Sequence, residues 1–535
     1  MDRPRRTKTA MGPAERGMQS MELKVFKDTI AAYGGRWETR LELPVETEIL
    51  IPDYLPAVFK IVKCLVEPVI LQNHTAASKW QGEGYLRCTV YYQSDEAGAQ
   101  LYRMEQKFPF EKTADLPETG CQQGPAAVSG ELEYVNCRAI SEHRIDLRGA
   151  YALNVSVQMV DQLELVSSLA DCGIEQRTRV LNGKACAAAE EKTFTAETHI
   201  AVPGSDAVVL DISGSFQPES VTVLTGQANC QGTLRVQAVY RLAGTEELMA
   251  CTAELPVRQT LDMTGAAEGD ECLFWGEVLA CTLEASDSGH GDPALTVTWK
   301  LHAELWHDVQ YTAVADAYST ICQTQVDTQS CRLLTPAAEL PQTVQAELSD
   351  ELPDPDAQVL GCFVTLGAPV AQPGEEPDTV LFAGKGTAHL FCCDARGELT
   401  CYDKTFSWQM PQTMPGTAAD YCLRAHACAS RVTSGKAGSR MQVSVEIRLT
   451  GRLFAVQTCP AVREVTLGEE FPDKAEGPAL YLYYASAGER IFDIAKRYHA
   501  RAKDLVAANH LEADADTPVQ EMTTETACLL IPAAL

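Results

Sequence analysis

Apolar and polar residues alternate with a period of two over most of this chain. From Trp37 the order W-E-T-R-L-E-L-P-V-E-T-E-I-L-I-P is that of a half-buried strand. In G-E-G-Y-L-R-C-T-V-Y-Y, Tyr85, Arg87, Thr89 and Tyr91 share one face, and Leu86, Cys88, Val90 and Tyr92 the other. A charged turn over 93–100 leads into L-Y-R-M-E-Q-K-F-P-F as its hairpin partner. Similar segments follow one another closely, and stretches of helical period are scarce before the C-terminal region. The pattern predicts a mainly β protein built from antiparallel sandwiches or open barrels.

A longer repeat is laid over this alternation. I-L-I-P-D-Y-L-P-A-V-F-K-I-V-K-C-L-V-E-P-V at 49–69 has counterparts at 200–221 and 351–370. Each copy meets a first proline (Pro52, Pro203, Pro353; 151 and 150 residues apart) and a second 15 or 16 residues later (Pro68, Pro218, Pro369). The segment P-A-V-F-K-I-V-K lacks strict alternation, but its counterparts at 207–212 and 357–364 read as strand, and so does it. Gly84-Y-L-R-C-T-V, Gly232-T-L-R-V-Q-A and Gly386-T-A-H-L-F-C follow in step, and M-Q-V-S-V near the end of the third copy answers Leu153-N-V-S-V in the first. A period near 150 is the size of an ordinary domain, not of a solenoid repeat. The expected organisation is a β domain at 21–166, a second at 174–311, a third at 338–466, a linker at 467–478 rich in Pro, Gly and charge, and a different module at 479–535. Residues 1–20 read as a disordered or mis-called leader, with Met11, Met18 and Met21 as alternative starts.

Composition narrows the function classes. The 535 residues carry a formal net charge of −29, which argues against general nucleic-acid or anionic-membrane binding. No apolar run is long enough to span a bilayer, and the basic N-terminus has no apolar core of a signal peptide. The 20 cysteines are scattered through apolar strands rather than set at framework spacings, so free thiols in a reducing compartment are expected. His389 with Cys392, Cys393 and Cys401 is the nearest approach to a metal cluster, but it lacks a CxxC, and adjacent cysteines in a strand face opposite ways.

Catalytic and cofactor motifs are likewise wanting. Gly384-K-G-T lacks the glycine-rich loop of a nucleotide site, and neither HExxH nor GxSxG occurs. Glu46 with Glu48, Glu375 with Glu376, and His143 beside Glu142 read as solvated strand and turn positions. No enzyme activity, cofactor or metal is expected.

The last fifty or so residues follow another plan. A strand, Leu480-Y-L-Y-Y-A, precedes a helix, E-R-I-F-D-I-A-K-R-Y-H, with Ile491, Ile494, Ala495 and Tyr498 on one stripe. A second helix, A-K-D-L-V-A-A-N-H, turns Leu505 and Ala508 inward and stops at Asn509, placed to take the left-handed exit. C-L-L-I-P closes the module as a strand. The order strand–helix–helix–strand, with Tyr483, Gly488, Ile491, Phe492, Ile494, Ala495, Tyr498, Leu505, Asn509 and L-L-I-P in their places, resembles a LysM domain. That resemblance implies glycan-binding loops at Ser486–Arg490 and Asn509–Ala515. Here the usual Asp-Thr is Glu489-Arg490, the usual glycine near the last strand is Thr526, and the second loop is acidic (Glu512, Asp514, Asp516). Those changes remove a close backbone approach and a hydroxyl partner.

With I-P-D-Y-L-P in a tandem β array before a single C-terminal LysM, the chain resembles the SPOCS-domain proteins of endospore-forming bacteria, of the SipL type. The resemblance implies a non-enzymatic spore-coat assembly scaffold in the mother-cell cytoplasm at the forespore surface. It implies binding to the coat-basement ATPase, stage IV sporulation protein A, with the LysM taking part. The alternative is a module that binds N-acetylglucosamine-containing peptidoglycan. The residues expected to meet either partner are Tyr483, Gly488, Glu489, Arg490, Phe492, Lys496, Asn509 and Leu511. Phe492, in place of the usual Trp, is read as an interface anchor or as core packing of a small domain.

Overall fold

The computed structural model describes residues 22–76, 78–94, 100–117, 122–202, 207–242, 248–284, 292–340, 343–376, 378–471, 480–486, 489–511 and 527–532. It is mainly β, as the alternation predicts. The first unit contains β1 (Lys24–Leu50), β2 (Val58–Ala76), β3 (Lys79–Ser94), β4 (Leu101–Asp115), β5 (Gln122–Ser141) and β6 (Arg144–Ala170). The second contains β7 (Ile174–His199), β8 (Ala207–Leu224), β9 (Gln227–Leu242), β10 (Met249–Asp262), β11 (Glu271–Glu284) and β12 (Ala294–Ser319). The third contains β13 (Cys322–Glu339), β14 (Thr343–Glu351), β15 (Gln358–Leu366), β16 (Val370–Pro373), β17 (Thr379–Cys393), β18 (Leu399–Thr413), β19 (Tyr421–Ala437) and β20 (Arg440–Glu470).

The strand plan repeats. Each unit pairs its long first and last strands antiparallel and adds the strand before the last: β1-β6-β5, β7-β12-β11, and β13 with β14 against β20 beside β19. A second sheet, β2-β3-β4, β8-β9-β10 or β15-β17-β18, packs across it. Each pair of sheets encloses a core of its own, around Leu43, Val66, Leu86 and Leu153 in the first, Phe216, Leu234 and Trp299 in the second, and Leu390, Trp408 and Val445 in the third.

The repeated glycine has a steric cause. On the central strand of the second sheet, a Cβ at Gly84 meets the Val69 carbonyl oxygen at 2.1 Å, and one at Gly232 meets that of Gln217 at 2.5 Å. At Gly386 the obstacle is the Phe406 ring, 2.5 Å away. A side chain at these points would push the neighbouring strand off its ladder.

The long strands outrun their sandwiches, and their outer halves form something the sequence did not suggest. The ribbons 24–33 with 160–170, 174–186 with 306–319, and 322–339 with 452–470 pack against one another as a three-sided stalk. Its core is threefold in sequence as well as in space. Ile30, Leu181 and Cys331, 151 and 150 residues apart, are all buried in one cluster. Val166, Val314 and Val462, each 148 residues from the last, share another. Tight turns at Asp171–Gly173 and Thr320–Ile321 carry the chain from one ribbon to the next. Accordingly β6 runs to Ala170, β12 to Ser319 and β20 to Glu470, so the stretch read as linker from 467 begins as strand.

At the other end the second sheets meet in a further apolar cluster with Tyr91, Leu101, Leu210, Phe391 and Leu399. Between stalk and cluster, ion pairs and stacked rings join the units. The Arg424 guanidinium pairs with Glu304, both buried, and Lys300 Nζ lies 3.0 Å from Glu191. His302 stacks on Trp275 at 5.2 Å, with Nδ1 3.2 Å from Glu191 and Nε2 3.6 Å from Glu277; His426 of the third unit faces the same indole.

Gly84→Ala is expected to cost about 1–3 kcal/mol by overpacking, measured by urea unfolding. Gly435→Ala, with no heavy atom within 4 Å of its Cβ, should stay within about 1 kcal/mol. Burial opposes the charge on His302, but Glu191 and Glu277 outweigh it and raise the imidazole to about 9. A raised histidine stabilises fully below its ordinary 6.5 and loses that contribution as pH rises through about 9. The melting temperature should therefore fall across that window in the native chain and much less in His302→Gln. Equal declines would show that the cluster does not couple to folding.

Candidate functional site

The sequence places its candidate residues in the C-terminal module, which forms β21 (Leu480–Ala485), α1 (Ile491–Arg497), α2 (Ala502–Ala508) and β22 (Ala527–Pro532). The two strands pair antiparallel from Leu480↔Pro532 to Ala485↔Ala527. Ile491, Ile494, Leu505, Leu529 and Ile531 fill a small core, with Tyr483, Tyr498 and Leu511 packed on its margin.

Two candidates hold the module together. Asn509 donates Nδ2 to the carbonyls of Leu505 (2.8 Å) and Leu530 (2.7 Å) and accepts the Leu530 N–H, so it ties the end of α2 to β22. Its φ is −106°, and the left-handed residue is the next one, His510, at +50°, which corrects the expected exit by one position. α1 ends the same way at His499. Tyr483, Glu489 and Arg497 form a second lock: the Tyr483 hydroxyl donates to the Glu489 carboxylate, which Ser486 N–H and Arg497 also reach. Burial works against the Glu489 charge, but these donors prevail and hold its pKa below the ordinary value. Arg490 is exposed at the N-cap of α1, and Gly488 lies outside the described residues.

Phe492 and Lys496, expected on the module's open surface, are instead spent inside the chain. Phe492 is 3% exposed and packs edge-on against Tyr318 at 5.2 Å, with Ala495 and Ala502 around it. The Arg177 guanidinium covers its ring at 5.4 Å and approaches Asp493 at 3.8 Å. Lys496 Nζ is 2.7 and 2.8 Å from the Asp316 oxygens. The Tyr318 hydroxyl donates to the Ala500 carbonyl at 2.7 Å, and the ring of Phe471 lies against His499. Burial, then the nearby Glu175 and Asp316, raise the Tyr318 pKa, so the hydroxyl stays a donor. The module is clamped to the end of the stalk.

The stalk is threefold and the clamp is not. Glu175, Arg177, Asp316 and Tyr318 belong to the second ribbon. By the same spacings their places are taken by Lys24, Phe26, Ser168 and Ala170 in the first ribbon, and by Gln325, Asp327, Glu464 and Thr466 in the third. Only the second supplies together a tyrosine to meet Phe492, a carboxylate for Lys496 and a cation for Asp493; of these the third has just the carboxylate, Glu464. The sequence held a signal for this: Phe492 falls off the stripe of Ile491, Ile494, Ala495 and Tyr498, so α1 has two apolar faces, and a small module has core for one.

Elsewhere the weighed candidates are accounted for by packing. Cys392 and Cys393 enter different apolar clusters on opposite faces of β17, and His389 Nδ1 lies 2.8 Å from Asp403. Glu46 and Glu48 pair with Arg148 and Arg144 on the surface. Gly384 lies in a strand under the Trp408 ring, not in a loop. The described cysteines are free thiols. No helix among the described residues is long and apolar enough to cross a membrane.

Residues 57–140 and 207–285 match the family described as SipL, SPOCS domain. The two matches span β2–β5 of the first unit and β8–β11 of the second, the same elements in each. No curated protein matches the chain. A crystal structure of lipopolysaccharide binding protein aligns at 8% identity over 64% of this chain and 91% of its own, with a TM-score of 0.10, a value from which no fold likeness follows. On the paired matches, the first and second units each carry a SPOCS domain of the SipL type, a domain that points to sporulation.

Proposed function

We propose that this protein is a non-enzymatic scaffold of spore-coat assembly. It works in the mother-cell cytoplasm at the forespore surface and binds the coat-basement ATPase, stage IV sporulation protein A. In this reading the C-terminal module is a LysM domain adapted to dock protein, and the third unit is a further SPOCS-like domain. The observation that carries the proposal is the SPOCS match in two units of a body that ends in a strand–helix–helix–strand module. The clamp supports a scaffold role, because a module fixed on a rigid stalk presents its free surface in one direction and loses little orientational entropy on binding. The Tyr483–Glu489–Arg497 lock supports protein over glycan: the loop acid that departs from the usual LysM pattern is held by its own neighbours.

The test is co-purification from sporulating cells of the native host with the full chain and with a chain ending at Phe471. The ATPase is expected with the full chain and at least tenfold depleted with the shortened one, whose β-sheet melting must be retained. Equal recovery would move the partner site to the β units. Pelleting of the full chain with purified peptidoglycan, unaffected by added ATPase, would favour the glycan reading. The clamp itself is checked by hydrogen exchange. Lys496→Glu should speed exchange in α1 severalfold, and Asp316→Lys in the same chain should restore it; failure of the pair to recover would deny the ion pair its role.

A further inference from the structure

The clamp covers the module's helices, and among the described residues nothing covers the far side of its sheet. In β21 and β22 alternate residues face outward, and the register sets them in cross-strand pairs: Leu480 with Pro532, Leu482 with Leu530, Tyr484 with Cys528. Leu482 is 64% exposed, Tyr484 72%, Leu480 50% and Leu530 36%, and Cys528 is exposed opposite Tyr484. A sheet face turned to water ordinarily carries polar residues. Here every outward position on both strands is apolar or a thiol, so the patch is continuous by construction and not a scatter of single exposed residues.

We infer that this strip is the surface by which the module docks a second protein, and that its occupant is an amphipathic helix of that protein. The inference rests on reading the module as protein-docking and says which side is used. The width argues for a helix: two strands about 4.8 Å apart make a bed for one helix of about 10 Å diameter. Six-residue strands, about 20 Å long, match between three and four helical turns. The opposite face is already covered by α1 and α2, so a helix here completes a helix–sheet–helix layering. A strand added at an edge would leave the apolar face as wet as before. Charge argues against a second copy of this chain, since two bodies of formal net charge −29 repel one another. The strip alone buries a few hundred Å², against about 800 Å² per partner in a stable association. The strip serves instead as the apolar anchor of a wider contact, and Tyr484 at one end of it is of the residue type that dominates such anchors.

Cys528 reports on the strip without any change to the chain. The rate of maleimide labelling of the Cys528 peptide is followed by mass spectrometry in the purified full-length protein and in gently lysed sporulating cells. Labelling is expected to be at least tenfold slower in the lysate. Leu482→Lys, at a position too exposed to disturb folding, should restore the fast rate; Phe59→Lys on the first unit should not. Equal rates in the two settings overturn the inference. Protection that grows with the concentration of the purified chain alone also overturns it, in favour of self-association. Protection by the purified coat ATPase identifies the occupant as the partner proposed above. Protection in the lysate that the ATPase does not reproduce, and that Leu482→Lys abolishes, keeps the surface and rejects that partner.

Discussion

The arrangement depends on the packing of three two-stranded ribbons around a common apolar axis. An isolated ribbon has one face too few to hold itself together in water. Ile30, Leu181 and Cys331, with Val166, Val314 and Val462 beyond them, give each ribbon a buried face only because the other two are present. Once the stalk has formed, the sandwiches that grow from it cannot rotate independently. Their second sheets then meet at Tyr91, Leu210 and Phe391, and the charged residues between are held close enough to pair. Buried pairs such as Arg424–Glu304 gain little net stability, since desolvation offsets the attraction, but they penalise any other docking of the units.

Symmetry governs the core and its breaking governs the surface. The three ribbons are interchangeable where they face the axis and different where they face water. The tip of the second carries the acid, cation and aromatic that receive the module. The SPOCS matches in the first two units cover the outer elements of the sandwiches and stop short of the stalk strands. What the family pattern records is thus the sandwich portion, with Tyr91 and Leu210 where the second sheets meet, and the stalk is written in residues outside it.

Much of this was legible in the sequence. Period-two alternation gives strand over nearly all of the chain, and Gly84 and Gly232 repeat because a neighbouring strand crosses too near for any Cβ. The stalk was not legible. Its triads keep their spacing but change residue type (Ile, Leu and Cys at one level), since a core selects for volume and apolarity and not for identity. The clamp was half legible. The stripe of α1 is plain, and Phe492 is an aromatic of interfacial type, but periodicity says that a face is buried without saying against what. It was buried in cis, and the candidate contact with another protein became a contact with Tyr318.

The order of the strands has a consequence for how the protein comes into being. Hairpins such as β2–β3 join neighbours in sequence and can close as soon as they are synthesised. The ribbons cannot, for Lys24 pairs with Ala170 and Cys322 with Glu470, so each waits for its whole unit. The axis waits longer still, since Val462 completes a level that began with Val166. Long-range closure of this kind is slow and leaves apolar strand edges open meanwhile. A ribosome at work on the third unit therefore holds two sandwiches whose stalk strands still lack a third wall. The chain must be made to nearly its full length before the stalk can take its final form.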